Sequence, residues 1–345
     1  ARIKILASLR LDEHRLPQDG RFKLETPEEK VSFRVSILPV YDGEKAVLRI
    51  LRENAKGFTL ESIAFHGEDL ERVHRAMRRP LGMLLATGPT GCGKTTTLYT
   101  ILDILNTPEV NISTIEDPIE YRMPRINQTQ VKTDIGLTFA NGLRSLVRQD
   151  PNIIMVGEIR DNETAALAIN AALTGHLVLS TLHTTSAAGA LPRLIDMKIE
   201  PFLLASTINI IIAQRLVRRL YENKAAYTLD KAQLEDLGTH VDLARVMEFL
   251  KREKIVDPKA EWKDIKFYKH QPSVDAPDGY KDRIGIHEVM QVSDTIKHLI
   301  MTNATSDDIE KQSKKEGMMT MFEDGIFKAV QGLTSIEEIL RVTQE

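Results

Sequence analysis

One short stretch of this sequence has the residue types and spacing of a phosphate-binding loop. Residues 88–95 fit the pattern G-x-x-x-x-G-K-[ST]. The apolar run Met83–Thr87 before them predicts a buried strand, and the run Thr95–Leu105 after them predicts a helix. Glycines let backbone N–H groups close around a phosphate, and a helix N-terminus adds partial positive charge. This setting favours a nucleotide site over an ordinary glycine-rich turn.

The residues of the loop have different expected roles. Lys94 should meet the β- and γ-phosphates, and the hydroxyl of Thr95 should ligate Mg²⁺. The predicted nucleotide site comprises the whole loop and its next neighbour: Gly88, Pro89, Thr90, Gly91, Cys92, Gly93, Lys94, Thr95 and Thr96.

Two acidic clusters follow the phosphate loop along the chain, and both could take part in phosphoryl-transfer chemistry. Residues 113–120 place Glu116 and Asp117 at the end of a predicted strand, where carboxylates face the ligand crevice of a parallel sheet. Residues 153–158 place Glu158 shortly after four apolar residues, and this acid would hold Mg²⁺ through water. Taken alone, each cluster could also be a charged loop. Their position after the phosphate loop favours the catalytic interpretation.

Histidines and arginines complete the set of candidate residues. His176 and His183 bracket a strand, and we expect His183 to sense the γ-phosphate, with a supporting role for His176. Their odd spacing puts them on opposite faces of the strand, which argues against a shared metal. The arginines Arg34, Arg49, Arg144 and Arg148 could stabilise phosphoryl charge. From the sequence alone, however, a solvated surface arginine is the default for each.

Composition restricts the classes of protein. The chain has 345 residues, a net charge of −3 and one cysteine, Cys92. The length predicts two or three domains, and one cysteine excludes a disulfide framework within the chain. The charge gives no general basic surface for nucleic acid. The longest apolar run, Phe202–Ala213, is too short to span a membrane and predicts a buried helix. Because Ala1 replaces a starting methionine, we expect a segment of a longer protein.

The sequence predicts four regions, which must position these groups. Residues 1–75 predict a small α+β domain, with a helix over Ile3–Leu11 and strands at 22–24, 31–38 and 46–51. Residues 76–220 alternate strands (83–87, 111–116, 153–157 and 177–182) with helices, which indicates an α/β domain with a mainly parallel sheet. Residues 221–278 are polar and highly charged, with one helix from Asp242 to Lys251. Residues 279–345 predict a helical region with a capping box at residues 334–337.

Together, these clusters resemble the secretion ATPases of type II secretion systems and type IV pilus assembly. Residues 15–21, R-L-P-Q-D-G-R, resemble the start of the family's second N-terminal domain. Residues 116–120, E-D-P-I-E, are similar to its Asp box, and residues 157–161, G-E-I-R-D, to its Walker B region. Residues 174–183 resemble its His box. The likeness covers nearly the whole chain.

The resemblance implies a RecA-like P-loop ATPase core with a small PAS-like N-terminal domain. It implies a Mg²⁺-dependent homohexamer that hydrolyses ATP, with each ATP between the two domains. Closure of the domains would drive an inner-membrane platform protein from the cytoplasmic face of the membrane. It also implies arginine fingers at Arg34 and Arg49, and phosphate-side arginines at Arg144 and Arg148. Glu116 would align or activate the attacking water, and Glu158 would hold Mg²⁺.

The chain departs from the family at its later end. Members typically carry two C-x-x-C pairs that bind structural zinc, whereas residues 218–224 here read R-R-L-Y-E-N-K where the first pair belongs. Tetrahedral zinc needs four ligands, and His270 cannot replace the missing cysteines. We therefore expect no zinc, and residues 221–278 held by packing or mobile. We also expect this chain to lack the family's first N-terminal domain, in which case ATP chemistry should be kept while recruitment to a machine is impaired.

Two other classes of function stay open at this point. One is a nucleic-acid translocase with a similar core, although the acidic balance argues against nucleic acid as a partner. The other is a nucleotide-gated binding scaffold with little turnover, against which Glu116, Glu158 and the arginines argue.

Overall fold

The computed structural model describes residues 1–25, 30–52 and 58–344, which belong to two units. The smaller unit consists of residues 1–57 and 119–122, and the larger of residues 58–118 and 123–345. Among the described helices, none combines the length and apolar character needed to cross a membrane.

The smaller unit is an antiparallel sheet with one helix. Its elements are α1 (Arg2–Leu6), β1 (Gln18–Glu25), β2 (Lys30–Val40) and β3 (Gly43–Arg52), in sheet order β1-β2-β3. Strand alternation puts Val35 and Ile37 on one face, where they pack with Ala7 after α1. The three predicted strands are confirmed. The predicted helix over Ile3–Leu11 is wrong after Leu6, since the chain turns at Ser8, which has a φ of +56°.

The larger unit contains twenty-one α-helices and strands among the described residues, in the following order. They are α2 (Gly67–Met77), β4 (Gly82–Thr87), α3 (Lys94–Leu105), β5 (Ile112–Glu116), β6 (Ile126–Gln130), α4 (Phe139–Leu146), β7 (Ile153–Val156), α5 (Asn162–Leu173), β8 (Leu177–Leu182), α6 (Ala190–Asp196), α7 (Pro201–Thr207), β9 (Ile208–Leu220), β10 (Lys224–Tyr227), α8 (Lys231–His240), α9 (Leu243–Arg252), β11 (Phe267–His270), β12 (Tyr280–Gln291), α10 (Asp294–Met301), α11 (Ser306–Lys315), α12 (Met321–Val330) and α13 (Ile336–Thr343).

Seven of these strands form one large sheet. Its order is β12-β9-β4-β8-β7-β5-β6, and every neighbouring pair is parallel except β12 with β9. The predicted mainly parallel sheet is therefore confirmed. Parallel strands buried on both faces are nearly continuous in apolar residues, and β4 and β8 are buried along their whole length.

Helices cover both faces of this sheet. On one face α5 contributes Ala165, Ala168 and Ile169, together with residues of α6, α7 and α10. On the other face α2 and α3 contribute Val73, Leu98 and their neighbours. The predicted first region, residues 1–75, includes part of α2, whereas this helix packs on the large sheet. The sheet thus fixes the direction in which β4, β5, β7 and β8 end, and that edge carries the candidate site.

The predicted helix over Phe202–Ala213 is wrong in its second half. Helix α7 ends at Thr207, and residues 208–220 form β9 beside β4. The run contains Ile208 and three consecutive isoleucines at 210–212, and β-branched side chains favour strands. The prediction of a helical region from residue 279 is also wrong at its start. Residues 280–291 form β12, which pairs with β9.

Residues 221–278 contribute to a third apolar cluster. Leu237 of α8, Val246 and Leu250 of α9 and Phe267 of β11 pack against α12 and α13. Asp242 caps α9, close to the predicted helix start. The predicted capping box at residues 334–337 is wrong by one residue: Ser335 caps α13 by accepting from the N–H of Glu338.

Candidate active site

The phosphate loop joins β4 to α3 through glycines in the left-handed region. Gly88, Gly91 and Gly93 have φ values of +142°, +81° and +95°. A Cβ at Gly88 would lie 2.5 Å from the backbone oxygen of Gln214, and one at Gly93 would lie 3.0 Å from its Nε2. The backbone therefore requires glycine at residue 88 for both conformation and space. The predicted strand, loop and helix are confirmed.

Lys94 opens α3 and lies over the loop. Its Nζ donates to the carbonyl oxygens of Gly88 at 2.6 Å and Pro89 at 3.0 Å. Burial lowers the pKa of Lys94, and the charge of Glu158 acts in the opposite direction. The neighbouring thiol of Cys92 is buried, which raises its pKa. The loop thus presents one cation beside an inert thiol at the amino end of a twelve-residue helix.

Glu158 and His183 follow the ends of β7 and β8. Oε2 of Glu158 lies 2.7 Å from Nε of Arg160 and 3.5 Å from Nε2 of His183. The hydrogen bond from Arg160 to Glu158 raises the pKa of Arg160. The side chain of Glu158 is 11% exposed, whereas those of Arg160 and His183 are 66% and 48% exposed. The structure therefore brings Glu158 and His183 together. Arg160 was not among the predicted site residues, although it lies only two residues after Glu158.

Glu116 has a different environment at the end of β5. Its Oε1 accepts from the hydroxyl of Thr114 at 2.5 Å and from Nε2 of Gln128 at 3.2 Å. Its Oε2 accepts from the hydroxyl of Tyr99 on α3. Because Glu116 is 2% exposed and both oxygens accept from protein groups, it ties β5, β6 and α3 together. Its expected action on the attacking water stays a prediction.

Of the two later arginines, Arg144 contacts the amino end of α5. Arg144 pairs with Glu163 in the first turn of α5 and donates to Oδ1 of Asn141 at 3.1 Å. Arg148 is exposed and lies two residues beyond the end of α4. His176 precedes β8 and contacts the carbonyl of Ala171, so it lies at the opposite edge of the sheet from His183. Roles for these residues in phosphate chemistry stay predictions.

Arg34 and Arg49 form part of a row of cations in the smaller unit. Arg34 is the cross-strand partner of Arg49 on β3 and of Arg21 on β1. Arg34 is half-buried and the other two are exposed. Like charges directly opposite each other destabilise a sheet, and the expected roles of Arg34 and Arg49 at the phosphate stay predictions. Arg21 donates to the carbonyl oxygen of Ile119 at 2.7 Å.

Two polar residues that hold the loop were also missed. The hydroxyl of Thr87, at the end of β4, accepts from the N–H of Thr184 at 2.9 Å and contacts its hydroxyl at 2.7 Å. Gln214 on β9 contacts both the loop and α3. Neither residue belongs to a local motif, and the contacting residues are about a hundred positions apart in sequence, as is usual for contacts made by sheet neighbours.

The donors that the chain offers at the site are oxygens, which hard cations such as Mg²⁺ prefer. Mg²⁺ typically takes one or two protein oxygens and completes its octahedron with phosphate and water. The exposed hydroxyl of Thr95 and the carboxylate of Glu158 fit that requirement. Within residues 1–25, 30–52 and 58–344, no group of three or more His, Cys, Asp or Glu could hold a metal ion.

A phosphate loop between a central parallel strand and a helix, with an acid and a histidine at neighbouring strand ends, defines a P-loop nucleotide-binding protein. Solved structures agree with this class. The pilus retraction motor PilT, crystallised with ADP, superposes with a TM-score of 0.68 at 25% identity, covering 97% of this chain and 81% of that one. The ATPase DotB of Legionella pneumophila gives a TM-score of 0.63 at 21% identity, covering 94% and 76% of the two chains. The fold is RecA-like, as predicted.

Sequence comparison identifies the family within this class. The profile of the family described as "Type II/IV secretion system protein" matches residues 1–341, and this chain belongs to that family. It is 47% identical to the type II secretion system protein E of Xanthomonas campestris pv. campestris and 42% identical to the type IV pilus assembly ATPase PilB of Pseudomonas aeruginosa. Both matches cover the whole chain but 58% of the relative, so the chain spans little more than half their length.

Proposed function

We propose that this chain is the ATP-hydrolysing part of a motor that powers type IV pilus assembly or type II secretion. The observation that carries the proposal is the convergence of the phosphate loop, Glu158 and His183 at one edge of the parallel sheet. The family relatives named as secretion and pilus assembly ATPases support the same activity.

In this proposal, residues of the phosphate loop and of the neighbouring strand ends act on the nucleotide. Lys94 exchanges its bonds to the carbonyls of Gly88 and Pro89 for bonds to phosphate oxygens. Glu158 orients water beside the γ-phosphate, and His183, 3.5 Å from Glu158, reports the presence of that phosphate. Mg²⁺ held near Thr95 and Glu158 would neutralise charge on the phosphates. The more open position of Glu158 favours it over Glu116 for contact with water.

The working form that we propose is a homohexamer at the cytoplasmic face of the inner membrane, engaging a platform protein. Phosphoryl transfer needs cations around the transferred group, and Lys94 is a single charge. We propose that Arg34 and Arg49 supply further positive charge in the assembled ring, with Arg144 and Arg148 contributing on the phosphate side. Hydrolysis then drives rotation of one domain relative to the other.

ATP hydrolysis as a function of protein concentration tests this function. The wild type is compared with Glu158→Gln, and oligomer size is followed by light scattering. The matched control is Glu235→Gln, which changes an exposed acid on α8. We expect specific activity to rise as hexamers form, to collapse with Glu158→Gln and to stay unchanged with Glu235→Gln. Equal activity in a monomer would refute the ring, and full activity of Glu158→Gln would refute the assigned site.

A further inference from the structure

Gln214 is a buried polar residue in an apolar strand, and both ends of its amide contact the nucleotide-binding elements. Nε2 donates to the carbonyl oxygen of Cys92 in the phosphate loop at 2.8 Å. Oε1 accepts from the hydroxyl of Thr97, in the first turn of α3, at 2.8 Å. Gln214 is 2% exposed and directly follows four apolar residues of β9. A polar group in such a position is costly unless it is hydrogen-bonded, and here each end of the amide makes a hydrogen bond.

We propose that Gln214 is a positioning residue of the phosphate loop, whose amide holds the loop in the conformation that binds phosphate. This inference rests on the proposed ATPase function and assigns it a residue outside the loop, the acids and the arginines.

The direction of one peptide group links Gln214 to phosphate binding. The C=O and N–H of a trans peptide point in nearly opposite directions. Because Gln214 holds the carbonyl of Cys92 toward β9, the N–H of Gly93 in the same peptide points away from β9. Backbone N–H groups of this loop are the donors that contact phosphate. Release of the Cys92 carbonyl would let this peptide rotate and would remove one donor from the set.

Space around the glycines supports the same assignment. The backbone oxygen of Gln214 lies 2.5 Å from the position of a Cβ at Gly88, and its Nε2 lies 3.0 Å from a Cβ at Gly93. Gln214 therefore touches the loop at its first glycine, at Cys92 and at its last glycine. The contact with Thr97 joins the same side chain to α3, so that loop and helix are fixed to one strand.

Three substitutions separate positioning from simple stability. Gln214→Met keeps the length of the side chain but removes both hydrogen bonds. Gln214→Glu keeps an acceptor for Thr97 and loses the donor to Cys92. Thr97→Val loses only the bond to α3. The matched control is Asn209→Ala at the start of β9, because Asn209 is also buried and donates to the carbonyl of Leu81 at 3.0 Å.

The readouts are the dissociation constants of ATP and ADP by fluorescent-nucleotide titration, kcat and KM for hydrolysis, and the melting temperature. We expect Gln214→Met and Gln214→Glu to weaken nucleotide binding by roughly tenfold, since each leaves the Cys92 carbonyl without its donor. Thr97→Val should weaken binding less than either. Asn209→Ala should lower the melting temperature without changing the dissociation constants.

Unchanged nucleotide affinity in both Gln214 variants, with a lowered melting temperature, would overturn the positioning role. Wild-type affinity in Gln214→Glu alone would also overturn it, because the Thr97 bond would then be the one that matters. If Gln214→Met fails to fold, Gln214→Glu and Thr97→Val still decide between these outcomes. If the wild type binds neither ATP nor ADP, the proposed function itself is overturned. If the wild type hydrolyses ATP, the proposed function stands, and the variants test the role of Gln214 alone.

Discussion

Replacement of Lys328 by methionine should strongly destabilise the larger unit. Lys328 and Asp324 lie one turn apart on α12, and both are 1% exposed. Nζ of Lys328 donates to Oδ2 of Asp324 at 2.6 Å and to the carbonyl of Gly285 at 2.7 Å. Burial lowers the pKa of Lys328, and although burial alone would raise that of Asp324, Lys328 and His66 hold its pKa well below the usual range.

The size of the effect follows from the charge that would remain. Without Lys328, Asp324 keeps bonds to Nε2 of His66 and the N–H of His287, both at 2.7 Å, but loses its cation. Removing one partner of a buried ion pair typically costs about 3–5 kcal/mol. The double variant Asp324→Asn/Lys328→Met leaves no uncompensated charge and should be more stable than the sum of the single changes.

Denaturant unfolding followed by tryptophan fluorescence measures this directly. Trp262 is the only tryptophan of the chain and packs against the cluster that contains residues of α12. The control is Lys231→Met, since the pair Lys231–Glu235 is 92% and 71% exposed and should change stability by about 0.5 kcal/mol or less. A loss below about 1 kcal/mol for Lys328→Met, or strict additivity in the double variant, would refute the reasoning.

The contribution of Asp324 to the free energy of unfolding should depend on pH in a defined direction. The pKa of Asp324 is depressed by folding, so the unfolded state binds its proton first as the pH falls. Its contribution to stability is therefore present above about pH 4, the unfolded value, and is lost as the pH falls through the folded pKa.

Three further predictions concern other parts of the molecule. Burial raises the pKa of Glu288 to about 7, so the free energy of unfolding should fall by roughly 3 kcal/mol between pH 4.5 and 7, and Glu288→Gln should remove this slope in pH-dependent melts. Gly88→Ala should abolish nucleotide binding, because the new Cβ would collide with the backbone oxygen of Gln214. Gly91→Ala places its Cβ in open space and should cost only about 1 kcal/mol of stability. Equal nucleotide binding by the two variants would contradict this. Arg34→Gln should stabilise the smaller unit by less than about 1 kcal/mol in low salt, with the gain vanishing in high salt, while reducing ATP hydrolysis.

Local signals in the sequence were sufficient for the phosphate loop, the strand that precedes it and the helix that follows it. The glycines of the loop and the apolar run at β4 each act within a few positions of the chain. Their physical causes are left-handed dihedral angles and burial on both faces of a sheet. Such features can be read without knowledge of the rest of the fold.

The strands β9 and β12 could not be predicted in this way. An apolar run of about twelve residues fits a buried helix and a buried strand equally well, and here it contains the end of one and the start of the other. The second half of the run becomes a strand because it pairs in parallel with β4. This pairing depends on the tertiary structure and not on local sequence. The pairing of β9 with β4 also brings Gln214 to the loop. Because β9 was not predicted, the contact of Gln214 with the loop could not be predicted either.

The two strands beside β4 together explain why the phosphate loop needs support from outside its own motif. On the β8 side, Thr184 holds the hydroxyl of Thr87 at the last residue before the loop. On the β9 side, Gln214 holds the carbonyl of Cys92 and the hydroxyl of Thr97. A loop rich in glycine has many accessible conformations, and hydrogen bonds from both neighbours select one of them. The glycines of the motif therefore allow the backbone to surround a phosphate. The hydrogen bonds from the neighbouring strands hold the loop in one conformation.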